Sequence, residues 1–154
     1  MPADVFHAAV TLPLATARQI IAATLAEGEA RELQPLTVAV LDAGGHLVAL
    51  ERADGAGLMR PEVALGKARA ALGIGIDSGT IGARNEGRDA FLAAVAVASG
   101  GTFVPVPGGV LVLDDQSRMI GAVGVSGDAS DQDAACACAG IETAGLRAGL
   151  DAAG

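Results

Sequence analysis

Apolar residues recur with two different periods along this chain, and the changes of period divide it into helices and strands. Leu14, Ala17, Ile21 and Leu25 fall on one helical stripe running to near Gly28. Thr11-Leu12-Pro13 ahead of them reads as a helix start, with Thr11 as N-cap and Pro13 in the first turn. Residues 36–41 then form a short apolar run rich in β-branched side chains. Asp42-Ala43-Gly44-Gly45 supplies a turn and residues 46–51 return, giving a first hairpin over 38–51. Asp54-Gly55-Ala56-Gly57 breaks the chain. Pro61 opens a helix to about Ile76, with Ala64, Ala68, Ala71, Leu72 and Gly75 as a small-residue face.

Beyond Asp77-Ser78-Gly79 a short helical turn is followed by a helix over about 86–98, expected to bury Phe91 and Val95 and to stop at Ser99-Gly100-Gly101. Residues 102–106 read as a short edge strand limited by Pro105 and Pro107. Pro107-Gly108-Gly109 leads into a second hairpin, 110–113 and 119–125, turning at 114–117. A last helix is expected over about 131–150, with Asp131 and Asp133 at the positive end of its dipole. Ala134, Cys138, Ile141, Gly145 and Ala148 form its stripe. The order is α-β-β-α-α-β-β-α in one α+β domain, 1–154 with its core at about 11–149, and hairpins favour an antiparallel sheet covered by helices.

Composition narrows the partners. Hydrophobic content is 51%, supplied by Ala, Val and Leu, with three Phe and neither Trp nor Tyr, so little aromatic surface exists for stacking on bases. The net charge of −8 and the single lysine, Lys67, argue against nucleic acid, whose phosphates demand clustered cations. Residues 5–14 are apolar and Ala15-Thr16-Ala17 is like a signal-peptidase site. Asp4, however, precedes the run with no Lys or Arg, and cleavage there would remove the start of the first helix. No apolar run of about 18 residues could span a bilayer. A cytoplasmic protein without membrane or nucleic-acid partners is expected. Cys136 and Cys138, two apart on a helix, point in nearly opposite directions and read as small packing residues.

Several segments together resemble the GlcG/HbpS-like family, which includes the C-terminal domain of PduO-type proteins. They are Val38-Ala-Val-Leu-Asp42-Ala-Gly-Gly-His-Leu-Val-Ala-Leu-Glu-Arg52, Asp54-Gly-Ala56, Lys67-Ala68, Pro107-Gly-Gly109 and Ile120-Gly-Ala-Val-Gly-Val-Ser-Gly127. The resemblance covers about 11–149 in order. It implies a profilin-like α/β/α sandwich with a central antiparallel sheet, assembled into homo-oligomers. Some members bind haem, and related domains accompany glycolate use, diol metabolism or corrinoid adenosylation.

Candidate chemistry follows from the residues. Haem iron takes an imidazole, thiolate or thioether, which singles out His7 before the first helix and His46 in the first hairpin turn. Arg52, after a strand, and Lys67, on the next helix, would together hold a carboxylate if that helix folds back over the hairpin. The structural alternative pairs Arg52 with Asp54 or Asp42 and lets Lys67 reach water. Pro107, Gly108 and Gly109 either line a cleft, offering backbone amides, or simply turn into a strand. Asp128, Asp131 and Asp133 cap a helix or hold a divalent cation. Gly124-Val-Ser126-Gly127-Asp128 lacks the last glycine of a nucleophile elbow, and Gly73-x-Gly75 comes late in a helix, so both read as structural.

Three functions compete. The leading one is a small-ligand-binding accessory protein taking haem or a related cofactor. The second is an enzyme of small-molecule catabolism acting on a carboxylate- or carbonyl-bearing substrate: Arg52 anchors it, the 107–109 amides polarise an oxygen, and Lys67 or His46 moves protons. The third is a homo-oligomeric assembly module without catalysis.

Overall fold

A computed structural model describes residues 3–150. Its centre is one sheet of five strands, every pairing antiparallel, in the order β2-β1-β4-β3-β5. The two expected hairpins supply four of them: β1 (Thr37–Asp42) with β2 (Leu47–Arg52), and β3 (Gly109–Leu113) with β4 (Met119–Ser126). Alternation sorts their side chains between the faces. Val38, Val40, Val110, Val112, Val123 and Val125 point to one face, where they meet α1 (Leu14–Ala30) and α5 (Ser130–Thr143) through Ile20, Ile21, Cys136, Ala137 and Ile141. All six valines are fully buried, each contributing about 1.5–3 kcal/mol.

The opposite face is built from smaller side chains. Leu41, Leu111 and Ala122 meet Ala68 and Ala71 of α2 (Arg60–Ile74). Two glycines set how near α2 comes: a Cβ on Gly124 would overlap the Ala64 carbonyl, and one on Gly109 the Lys67 carbonyl. The small-residue face of α2 therefore rests on a nearly bare patch of backbone. Beyond α2 lie α3 (Ser78–Arg84), capped by the Asp77 carboxylate accepting the Thr80 N–H, and α4 (Asp89–Ala98). A satellite core of Ala70, Ile81 and Phe103, with Val95 packed against it, lies here.

The α/β/α sandwich agrees with expectation; several local readings do not. α1 starts at Leu14 with Pro13 as N-cap, because the Thr11 hydroxyl accepts the Ala43 N–H (3.0 Å) and so is tied to the hairpin. Ala15-Thr16-Ala17 lies inside α1, with Ala17 fully buried. Residues 102–106 pair with no strand: Pro105 has no N–H, and the Val104 N–H donates to the Gly66 carbonyl of α2. α4 has no buried residue, against the expectation for Phe91, which is exposed beneath the Arg88 guanidinium (4.3 Å to the ring centroid). The last helix stops at Thr143. Gly145, at φ 81°, reverses the chain, and β5 (Arg147–Gly149) pairs along β3, covering a backbone edge that would otherwise be bare. No helix among the described residues is long and apolar enough to cross a membrane.

One contact joins the layers. Lys67 runs past Gly108, and its Nζ donates to the Val125 carbonyl (2.9 Å) and to Asp133 Oδ2 on α5 (3.1 Å). The other Asp133 oxygen accepts the Asp128 N–H (3.0 Å). Lys67 is 2% exposed and Asp133 0%. Asp131 and Asp133 both stand in the first turn of α5, as expected, but Asp133 is also an interlayer ion-pair partner, and Lys67 does not reach water.

Removing one member strands the other charge in the interior. Lys67→Met and Asp133→Asn are each expected to cost about 3–5 kcal/mol in urea unfolding, and the double variant less than the sum. Fully additive losses would show that the two groups do not depend on one another. Cys136 and Cys138 are both free, and burial pushes the Cys138 thiol up to about 11. Native protein at pH 8 should therefore react with a disulfide probe far more slowly than unfolded protein, as followed by thiol-release kinetics.

Candidate ligand groove

α2 packs over β4, β3 and β1 and barely touches β2, so the α2-side face of the edge strand is left open. Along it the register places Leu47 beside Leu41, Leu50 beside Ala39, and Arg52 beside Thr37. The facing side of α2 presents Glu62, Leu65, Arg69 and Leu72, spaced by three and four residues and so on one helical face. Between them runs a groove. Its middle is a cavity of about 360 Å³ lined by Leu41, Leu47, Glu62, Leu65, Arg69 and residues 100–102. A second cavity, of about 400 Å³, continues past Arg69 toward α4 and the hairpin turn, between Leu72, Val95 and Phe103. Gly45, Arg69 and Thr102 line both. Each volume lies within the range of small-molecule sites.

Arg69 is the polar feature at this junction. It is exposed and, among the described residues, has no hydrogen-bond or ion-pair partner. Nothing in its sequence neighbourhood singled it out; the only available signal was its place on the α2 stripe opposite the alanines. Glu62 gives the groove one acid.

At the far end the register aligns Arg52, Thr37 and Ser126 across β2, β1 and β4. Arg60 Nη1 donates to Ser126 Oγ (3.1 Å), while the buried Thr37 Oγ1 has no partner among the described residues. Arg52 is exposed and pairs with neither Asp54 nor Asp42, whose Oδ1 instead accepts the Gly44 and His46 N–H groups within the turn. The cation nearest the Arg52 end is therefore Arg60, two turns before Lys67 on α2.

Lys67 is absent from the groove because it is enclosed with Asp133. Burial pushes the Lys67 ammonium below the usual lysine range and the Asp133 carboxyl above the usual carboxylate range; in each, the partner pulls the other way. Pro107, Gly108 and Gly109 are also committed inside the fold. The Gly109 N–H donates to Ser78 Oγ (2.7 Å), that hydroxyl donates to the Val106 carbonyl (2.6 Å), and Gly108, at φ 130°, packs on the Lys67 side chain. Lys67 does not stand beside Arg52, and the Gly109 N–H is already engaged, so neither is placed as the catalytic reading has it. Asp128 accepts the Gln34 and Ala129 N–H groups, which hold its carboxyl below the usual range, and no metal-binding cluster exists among the described residues.

The two histidines differ in placement. His46 follows the Gly44-Gly45 rim; its side chain is 83% exposed, with Nδ1 3.5 Å from Asp42 Oδ1. His7 lies in the exposed segment ahead of α1.

Comparison with known proteins agrees with this architecture. GlcG of Escherichia coli K12 is 40% identical over 118 residues, 76% of this chain and 82% of GlcG. Among solved structures, a PduOC:heme complex superposes with TM-score 0.78 at 24% identity, covering 89% of this chain and 97% of the other. Klebsiella pneumoniae ORFY gives 0.80 at 23% identity, covering 94% and 98%, and HbpS gives 0.73 at 24% identity, covering 90% and 93%. The model of the family described as haem degrading protein HbpS-like matches residues 12–142, and the chain belongs to that HbpS-like family.

Proposed function

We propose that this protein is a homo-oligomeric accessory protein that binds a small amphipathic carboxylate in the groove between α2 and β2, with haem or a related cofactor as the ligand. The observation that carries this reading is Arg69: an unpartnered guanidinium at the junction of two cavities that Leu41, Leu47, Leu65, Leu72, Val95 and Phe103 line together with glycines and a few polar side chains. Leu41, Leu47 and Leu65 offer the apolar floor a porphyrin-like face needs, and Arg69, with Arg52 farther along β2, offers the cations for its carboxylates. The family description and the heme complex of PduOC support haem over other amphipathic acids.

If haem binds, an imidazole would help hold its iron. His46 is the group best situated to provide it, one residue beyond the groove rim and with Nε2 unengaged among the described residues. His7 is the alternative.

Titrating the purified protein with haemin is expected to give a saturable Soret shift at micromolar concentration. Arg69→Glu should weaken binding by about tenfold, the value of one charge-assisted hydrogen bond. His46→Ala should change the Soret position while His7→Ala leaves it in place. Absence of any saturable shift in the parent protein would sink the haem reading, and an undiminished affinity in Arg69→Glu would move the site elsewhere.

A further inference from the structure

Residues 3–11 adopt neither helix nor strand and are exposed throughout, although Val5, Phe6, Ala8, Ala9 and Val10 are apolar. Phe6 is in full contact with solvent. A contiguous apolar stretch left in water marks a surface awaiting a partner. Its root is fixed: Leu12 is buried against Gly121, and the Thr11 hydroxyl holds the Ala43 N–H.

Ala43 is itself a wall of the 400 Å³ cavity between the first hairpin turn, the end of α2 and α4. That cavity is apolar, lined by Leu72, Ile74, Val95, Ala98 and Phe103, and its charged residue is Arg69. The segment's own charged residue, Asp4, has the opposite sign. Next to the cavity, Val97 of α4 is 81% exposed. An unpartnered apolar segment and an unpartnered apolar pocket of matching charge thus occur on one chain.

We infer that residues 4–10 of one copy dock in this pocket on a second copy, with Phe6 among Leu72, Val95 and Phe103 and Asp4 toward Arg69, where the docked segment competes with a carboxylate ligand for the guanidinium, and that the second copy returns the contact by two-fold symmetry. The tether favours exchange over self-docking. Thr11 is tied to the pocket's own rim, yet Val10 beside it is already largely exposed and Phe6 touches nothing, so the segment is not seated in its own pocket. From Thr11 to Phe6 the chain reaches about 17 Å at about 3.3–3.6 Å per residue, enough to cross to a neighbouring domain. This inference rests on the self-association in the functional reading and names the elements that produce it; it does not need haem.

The protein without haem tests it by sedimentation velocity over a concentration series. Phe6→Asp, which disables the segment, and Ala98→Arg, which fills the exposed pocket mouth beside Arg69, should each weaken association by at least about tenfold to a hundredfold, the worth of one buried Phe side chain. Both substitutions are at exposed positions, and far-ultraviolet circular dichroism should match the parent. Mixed together, the two variants should associate more tightly than either alone, because the Ala98→Arg chain keeps an intact segment and the Phe6→Asp chain an intact pocket. A mixture that behaves as the sum of its parts would overturn exchange in favour of docking within one chain. Self-association unchanged by either substitution would overturn the segment's role while leaving an oligomer in place. A parent monomeric throughout the series would overturn both.

Discussion

The fold turns on the Lys67–Asp133 contact, because it is the polar link between its two helical layers. α2 rests on the sheet through alanines and glycines, a smooth surface that offers little to stop one helix turn from sliding over the next. Lys67 removes that freedom. Its Nζ is held by the Val125 carbonyl and by Asp133 on α5, so the position of α2 along the strands is set by a partner on the opposite face. Buried pairs of this kind add little net stability, since desolvation offsets most of the attraction. The directions of both pKa shifts carry that signature. What the pair contributes is register.

That register creates the groove. With Lys67 fixed over Gly109, Ala64 falls on Gly124 and Arg60 reaches Ser126, so α2 stands above β4 and leaves the near side of β2 uncovered. A larger side chain at Gly124 or Gly109 would lift the helix and widen the gap without giving it walls. The same placement consumes groups that look catalytic in the sequence: the lysine is enclosed, and the Gly109 amide is spent on Ser78. A groove bordered by the unengaged Arg69 remains, and it favours the ligand-capture proposal over one in which Lys67 moves a proton.

Much of the fold was legible because its signals are local. Asp42-Ala43-Gly44-Gly45 and Asp114–Ser117 mark their turns chemically, and period-two valines flank them, so both hairpins emerge to within a residue or two. What was not legible depended in each case on something distant. Asp133 does stand in the first turn of α5 as its spacing suggests, but its ion-pair partner lies 66 positions earlier. Residues 147–149 continue a helical stripe, but β3 offers them an unpaired edge, and Gly145 allows the turn toward it. Phe91 sits in so apolar a run that burial is the natural reading, though it stays exposed beneath the Arg88 guanidinium. Arg52 ends β2, and the strand register aligns it with Ser126, which Arg60 and not Lys67 contacts. Arg69 carries no motif at all: a single arginine becomes a site only when the hairpin turn and the loop after α4 close around it.

Net charge sharpens the meaning of those arginines. A chain at −8 repels an anion at long range, so capture of a carboxylate must come from short-range contacts in which the local cation outweighs the overall field. An arginine that is neither paired nor buried beside an apolar cavity keeps such a local cation available. Arg31 and Arg118 are neutralised by Glu27 and Asp114. Arg69 and Arg52 are not, and both lie along the one sheet face that α2 leaves open. The unspent positive charge and the uncovered apolar surface thus share a cause in how α2 is anchored, and that coincidence is the physical basis for reading the groove as a site rather than as a gap in packing.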